Sequence, residues 1–523
     1  MVGPAPQGRS AMPLQRPPAV FELRRRAVHR KPIIYTVTRK NSRLPRDTTE
    51  IRARFGTRGK HAYRFAPRWN MPMRNLSFAL LCIAGAVLVP AFACGGQTLS
   101  ADIPAGQAAE PASPASNITR VCITEWPGYY AGPEADFRKR FALYEQCAVD
   151  TIRVENGWLD RPAMVSALKD THFRIKLILY VLSMPNDYVS QFPAERMVDE
   201  NGATDRHLGP WSRGLGELTL RTGRAQIDKL KAAGLADRVD DVVVDLGPAG
   251  EGIYPANWTL NRKGEEAFWC YSGPAQESFR SSMKWKYPSV EAANAAWALA
   301  GGDRFKAWED VAIPKPRTAW ARGTFWNDVL TWYRDSKRRM MLSRIEQTQQ
   351  LVRESIGQKV KCIVYLPGYA YSQADWDGAV REASGPASIR LMMDNDWLMT
   401  TAVAKGCVLQ YTGAENATEV GNIVRKLRTA GSDAYATMWA ENAGVEAIGR
   451  DPEHLAEVIT NNGLRGIDYT WSNWLFEKDG VTPTETFGKF ASAVRTIINV
   501  RGKTDHLTRQ GAIDATPSSK TRR

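Results

Sequence analysis

Two glutamates stand where apolar runs give way to turns. Residues Asp241 to Pro255 read DVVVDLGPAGEGIYP, a β-branched run ending in a Gly/Pro turn that presents Glu251. Residues Ala434 to Gly444, AYATMWAENAG, likewise end an apolar run at Glu441. If one carboxyl stays protonated it can give its proton to a leaving oxygen, while an ionised partner activates water or attacks; this is the equipment for cleaving a glycosidic bond. A lone glutamate after a strand is more often a solvated loop residue or a helix cap. Here each follows small or rigid residues, Pro248-Ala249-Gly250 and Ala440, that let a substrate approach.

Aromatic residues recur after most of the apolar runs. Trp126, Tyr129 and Tyr130, then Trp158, Tyr254 and Trp258, Tyr365, Tyr369 and Tyr371, Tyr411, Trp439, and Trp471 with Trp474 offer flat faces to the C–H faces of pyranoses. Glu155, Asn156 and Gln410 add groups that bind hydroxyls. Any one of these rings is as readily a core residue; their recurrence favours a sugar cleft.

The elements that must position these residues alternate. Strands are predicted at Val121–Thr124, Thr151–Glu155, Lys176–Leu182, Asp241–Leu246, Val360–Leu366, Cys407–Tyr411, Ala434–Trp439 and Gly466–Trp471. Helical patterns fall between them at 133–147, 161–169, 224–233, 324–356, 387–404, 418–430 and 451–462, and 483–500 closes the set. This is the pattern of an α/β fold, a (β/α)8 TIM barrel over 118–500, with long βα loops after strands three and four at 183–221 and 251–322. Residues 501–523 read as a disordered basic tail.

The net charge of +15 suggests nucleic acid or a membrane surface, but its distribution removes that reading. Residues 1–74 hold 18 Lys/Arg and 3 Asp/Glu, leaving 52 of each sign in the rest of the chain. After Met71 comes a short basic stretch, an uncharged run from Leu76 to Ala93, and Ala91-Phe92-Ala93 before Cys94: the layout of a signal peptide over 71–93. On this reading 1–70 is a non-native upstream extension and 94–117 an Ala/Pro/Ser/Gly linker. The expected location is periplasmic or secreted; Cys94 is the candidate for acylation and a membrane tether, and free and lipid-anchored forms both fit. Cysteines 122, 147, 270, 362 and 407 read by default as buried thiols, with room for at most two disulfides. Six scattered histidines and no C-x-x-C or H-E-x-x-H spacing point to no metal and no cofactor. Phosphate-loop and G-x-S-x-G motifs are absent too.

Taken together, the motifs resemble those of the β-amylases, glycoside hydrolase family 14. The family's acid motif G-L-G-P-A-G-E-L-R-Y-P is similar to residues Asp245 to Pro255, and its G-E-F-Q-C-Y to Gly264 through Tyr271. F-L-T-W-Y resembles Val329-Leu330-Thr331-Trp332-Tyr333, L-N-F-T-C-L-E resembles Leu409 through Glu415, and G-E-N-A matches Ala440-Glu441-Asn442-Ala443. The resemblance implies Glu251 as general acid and Glu441 as the base that activates water, with inversion at the anomeric carbon. It places Glu155 where the family keeps a sugar-binding aspartate, and Thr412 where it keeps a threonine on an inner loop. The candidate substrate-binding set is Glu155, Trp158, Tyr254, Tyr365, Tyr369, Gln410, Thr412, Trp439, Asn442 and Trp471.

The departures concern substrate. The family's H-Q-C-G-G-N-V-G-D lid is replaced by Tyr180 through Asp187, a family lysine aligns with Tyr365, and the following histidine and tryptophan align with Ala370 and Tyr371. The expectation is therefore a monomeric glycosidase acting on an oligo- or polysaccharide other than starch, without a nucleic-acid partner. Two alternatives are a retaining β-galactosidase-like barrel, in which Asn usually precedes the acid where Gly250 stands here, and an inactive barrel that captures carbohydrate at the cell surface.

Overall fold

The structure, a computed structural model, describes residues 120–125, 130–179, 190–247, 250–252, 267–368, 370–441, 452–470 and 472–514. The expected upstream extension, signal peptide, linker and Cys94 lie outside these residues. Among the described residues no helix is long and apolar enough to cross a membrane.

The strands, in chain order, are β1 (Arg120–Thr124), β2 (Thr151–Val154), β3 (Arg174–Ile178), β4 (Arg196–Val198), β5 (Thr204–Leu208), β6 (Val239–Val243), β7 (Lys361–Leu366), β8 (Val408–Tyr411), β9 (Trp439–Glu441) and β10 (Gly466–Tyr469). All but β4 and β5 close into a barrel in the order β1-β10-β9-β8-β7-β6-β3-β2, every pair parallel. Helices cover the outside, so both strand faces are buried and the strands read as nearly continuous apolar runs.

Alternation sorts the side chains. Val121, Ile123, Ile152, Val154, Ile175 and Leu177 belong to the large core between sheet and helices. Their neighbours point into the barrel, where Cys122, Ile178, Val243, Ile363, Tyr365, Val408 and Trp439 pack together. Gly466 is required here: a Cβ at that position would come 2.8 Å from the Trp439 ring and 2.5 Å from the Arg120 carbonyl.

Both long βα excursions are present. The one after β3 contains the β4–β5 antiparallel hairpin. The one after β6 carries helices Gly273–Lys286 and Val290–Ala296 and builds a second apolar cluster against the start of helix Thr324–Ser355, with Trp297 stacked on Phe325 at 4.2 Å.

Several expectations need correction. Ala434–Thr437 is a helical turn, and the seventh barrel strand begins only at Trp439, where it pairs with Gln410 and Gly466. The third barrel strand ends at Ile178. The helix expected over 387–404 is two, Ala387–Arg390 and Asn395–Ala404, broken where Met392 adopts φ +48° and Asp394 caps the second through Trp397 N–H. The last helix, Glu485–Asp514, runs past residue 500 into the segment expected to be a disordered tail. The hairpin and helix Gln373–Glu382 were not anticipated. Cys122, Cys147, Cys270, Cys362 and Cys407 are free thiols, all buried except the half-buried Cys147.

Candidate active site

Glu251 and Glu441 reach the C-terminal mouth of the barrel by different routes. Glu441 is the last residue of β9 and is held by the sheet itself. Glu251 follows β6 through a tight turn in which Gly250 N–H donates to the Gly247 carbonyl and Leu246 N–H to the Gly250 carbonyl. Gly250 has φ +79°, and a Cβ there would lie 3.1 Å from Ile178 Cδ1, so both conformation and space call for glycine. Glu251 then forms an isolated parallel bridge with Tyr365 of β7, which registers the loop against the barrel.

A second anchor comes from helix Thr324–Ser355. The buried Lys337 ammonium donates to the carbonyls of Gly252, 3.2 Å away, and Leu391. Burial pulls Lys337 down to about 7, with Asp394 working against it. The residue after Glu251 is thus tied to a rigid element.

The two carboxyls have different partners. Thr412 Oγ1 donates to Glu251 Oε1 at 2.5 Å, and the same hydroxyl lies 3.3 Å from the Leu366 carbonyl. A protonated Glu251 can therefore be accommodated: the threonine hydrogen turns to Leu366, and the freed lone pair accepts from Glu251. Burial raises the Glu251 carboxyl to about 7; Glu441 adds to the rise, while Thr412 and Arg153 oppose it.

Glu441 Oε1 accepts from Arg153 Nη1 at 3.0 Å and from Thr470 Oγ1 at 2.8 Å, and Oε2 accepts from Gln410 Nε2 at 2.5 Å. With two acceptor sites per oxygen, Oε1 is saturated and Oε2 keeps one site open among the described residues. Burial pushes this carboxyl up and the Asp468 charge adds to it, against Arg153, Thr470 and Lys176. Glu441 in turn adds to the rise of Glu251, so the charge on one carboxyl bears on the ionisation of the other.

Beneath the pair lies a buried ionic layer. Lys176 Nζ donates to Gln410 Oε1 at 2.8 Å and to Asp468 Oδ2 at 3.2 Å, and sits 3.6 Å from the centre of the Trp439 ring. Thr124 Oγ1 donates to Asp468 Oδ1 at 2.8 Å, and Arg153 Nη1 lies 3.6 Å from Asp468 Oδ2 and donates to Tyr365 Oη at 3.3 Å. Burial would raise Asp468, but Lys176 and Arg153 outweigh it and hold the carboxyl below its usual range. Arg153, Lys176, Gln410 and Asp468 therefore orient Glu441 from below and bias its charge.

The remaining expected site residues divide. Glu155 is buried at the end of β2, and burial raises its carboxyl to about 7 against the pull of Arg153. Tyr365 and Thr412 stand beside Arg153 and Glu251. Four assignments to substrate contact do not hold: Tyr365 is buried in the barrel interior with its hydroxyl on Arg153, and three others are buried likewise. Trp158 is fully buried in the outer core, stacked on Phe141 at 5.8 Å with its indole N–H on the Glu125 carbonyl. Trp439 is fully buried inside the barrel over Lys176. Gln410 is also fully buried, its amide occupied at both ends by Lys176 and Glu441. Tyr254, Tyr369, Asn442 and Trp471 lie outside the described residues.

Arg153, Lys176, Thr470, Asp468 and Lys337 escaped the sequence reading. A signal existed for three of them: TIRV, RIKLI and GIDY each place a charge inside a short apolar strand, where it needs a buried partner. Among the described residues no group of three or more His, Cys, Asp or Glu is disposed to hold a metal ion.

Comparison with known proteins supplies the family. Residues 228–494 match the model of glycosyl hydrolase family 14. The thermophilic β-amylase of Thermoanaerobacterium thermosulfurigenes is 30% identical over 141 residues, 26% of this chain and 25% of that protein. The β-amylase of Niallia circulans is 28% identical over 152 residues, 26% of this chain and 24% of that one. The chain thus spans about a quarter of the length of these curated relatives.

Among solved structures, the catalytic domain of the Paenibacillus polymyxa β-amylase superposes with a TM-score of 0.57 at 18% identity, covering 74% of this chain and 99% of that domain. A β-galactosidase from the psychrophilic Marinomonas ef1 gives 0.51 at 12% identity over 74% and 61%. At these identities the likeness is one of fold. The family match spans over half of the sequence and takes in both carboxylates and β6 to β10: this chain is a (β/α)8 barrel that belongs to glycosyl hydrolase family 14.

Proposed function

We propose that the protein hydrolyses O-glycosidic bonds of an oligo- or polysaccharide other than starch, with Glu251 as general acid, Glu441 as the base that activates water, and inversion at the anomeric carbon. One observation carries the reading: two buried carboxyls stand at one barrel mouth with unequal hydrogen-bond partners. Among the described residues Glu251 has a single side-chain hydrogen-bond partner, a hydroxyl able to accept its proton. Glu441 is surrounded by three donors, one of them cationic, which favour the anion. The proton therefore resides on Glu251, where it can pass to the leaving oxygen.

The open acceptor site on Glu441 Oε2 receives one proton from one water, as a general base requires. Substrate choice is argued from Tyr365. It stands where the resemblance places a family lysine, and its hydroxyl is taken up by Arg153. A starch-gripping cation is thereby replaced by a neutral ring turned to the floor of the cleft. Export, with a tether through Cys94 as one form, and a monomeric state complete the proposal.

A second reading, retention, has one observation in its favour. A carboxylate fixed by three hydrogen bonds with one lone pair free is also suited to direct attack on the anomeric carbon. Incubation with a panel of glycans, with the anomer of the first product resolved by NMR, separates the two. Inversion supports Glu441 as base, retention makes it the nucleophile, and turnover of no glycan rejects both.

A further inference from the structure

Helices Gly273–Lys286 and Thr324–Ser355 bound a groove on the flank of the barrel that the catalytic arrangement does not use. Its volume is about 470 Å³, and it is lined by Ser278, Ser281, Ser282, Trp285, Asp335 and Arg339 among others. A second cavity of about 350 Å³ continues from it, sharing Ser278 and Arg339. Asp335 and Arg339 lie two residues either side of Lys337, roughly 200° around the helix, so the groove faces away from Glu251.

Trp285 is the anomaly. It is 92% exposed, between Lys284 and Lys286, on a helix that buries Ala275, Phe279 and Met283 on its other side. A single ring left in water is ordinary on a protein surface; this one is set apart by standing at the rim of a groove with a polar wall. The wall has a fixed polar lining: Trp332 is buried and its indole N–H donates to Ser278 Oγ at 3.1 Å. Arg339 contacts Ser336 and has no carboxylate partner among the described residues.

These features select the class of ligand. A stable protein partner covers about 800 Å² a side around buried anchors, whereas here one ring stands over a groove lined by hydroxyls. A nucleic acid needs a basic stripe, but Asp328 and Asp335 line the same groove as Lys286 and Arg339. One flat ring beside serine hydroxyls and mixed charges suits a pyranose, its C–H face on the indole and its hydroxyls on the rim.

We propose that this groove is a second carbohydrate-binding site, in which Trp285 stacks a sugar of a polymeric glycan and holds the polymer on the flank while another segment is cut at the barrel mouth. The inference rests on the chain being a glycoside hydrolase. It does not depend on the roles given to Glu251 and Glu441.

The test compares the full chain with W285A. Each is run in native gels containing soluble starch, mixed-linkage β-glucan or galactan, and each is assayed on a panel of aryl monoglycosides too short to span both sites. The wild type is expected to be retarded by at least one polymer, and W285A to bind that polymer roughly three- to tenfold more weakly, with aryl glycoside turnover unchanged. Equal retardation of the two proteins overturns the proposal, as does a wild type retarded by none of the polymers. Failure to cleave any aryl glycoside counts against the proposed catalysis alone, because the gels still report the groove.

Discussion

Replacing Arg153 by methionine removes a cation in contact with both Glu441 and Asp468, at 3.0 and 3.6 Å, while keeping much of the side-chain bulk. A charge pair at such distances is worth about 4.6–5.5 kcal/mol at the effective dielectric of protein sites. Thr470, Gln410 and Lys176 remain to offset part of the loss. The expected net effect is a rise of one to two units in the pKa of Glu441, about 1.4–2.8 kcal/mol.

The direction for activity follows from the role. The base works only when ionised, so raising its pKa moves the acid limb of kcat/KM to higher pH; just above the original limb R153M loses roughly ten- to a hundredfold and recovers part of it in mildly alkaline buffer. The assay is the pH profile on an activated aryl glycoside, where acid assistance matters least, with circular dichroism to confirm folding. R153K should return the limb towards its original position. A folded R153M with an unmoved acid limb would refute the electrostatic coupling and with it the assignment of Glu441.

Glu251→Gln should lower turnover of substrates with poor leaving groups by roughly 10²–10⁴ while aryl glycosides with good ones retain activity; Glu441→Gln should stall on both classes, and azide that rescues it would stand in for the activated water. Because Glu251 is raised to about 7 from an ordinary 4.5, wild-type activity should fall as pH climbs through 7. By the same linkage the native state keeps this proton over a range in which the unfolded chain has released it, so stability falls between those two values and E251Q should be relatively more stable at pH 8 than at pH 4, read by thermal unfolding. Thr412→Val removes a donor that holds Glu251 down, so the alkaline limb should move up by about one unit. Gly250→Ala should cost about 1–2 kcal/mol in denaturant unfolding, from the φ of +79° and the contact with Ile178, with a drop in kcat larger than any change in KM.

What could be read in the sequence followed from local rules. The barrel shows in the alternation because each parallel strand is buried on both faces and each helix on one, so composition and period report position directly. Glu251 and Glu441 show because each ends an apolar run. Ala434–Thr437 misled because its apolar content fits a strand or a helical turn equally, and the decision belongs to Trp439, whose partners Gln410 and Gly466 are distant in sequence. Trp158 and Trp439 belong to the core and not to the aromatic rim, since a tryptophan at a strand end can turn inward and only packing decides which. Nothing local in the sequence reveals that Lys176 and Glu441 already occupy the Gln410 amide. Lys337 was invisible for a like reason: a lysine on a long helix is ordinary until the loops carrying Gly252 and Leu391 fold over it.

The ionic layer under Glu441 also bears on how the chain reaches its native state. The cations belong to β2 and β3, made early in synthesis, and the carboxylates that answer them belong to β9 and β10. Arg153 meets Glu441 across 288 residues, Lys176 meets Asp468 across 292, and Thr124 meets Asp468 across 344. A nascent chain that has formed only its first strands cannot close a dry interior around Arg153 and Lys176, because a buried charge without its partner costs several kcal/mol. Partial barrels are therefore penalised from within, and closure waits for the C-terminal strands. Such contacts favour slow, all-or-none folding. A chain truncated before β10 should stay open, exposing apolar strands to aggregation and proteolysis, so the residues that poise the active site also test whether the whole chain has arrived.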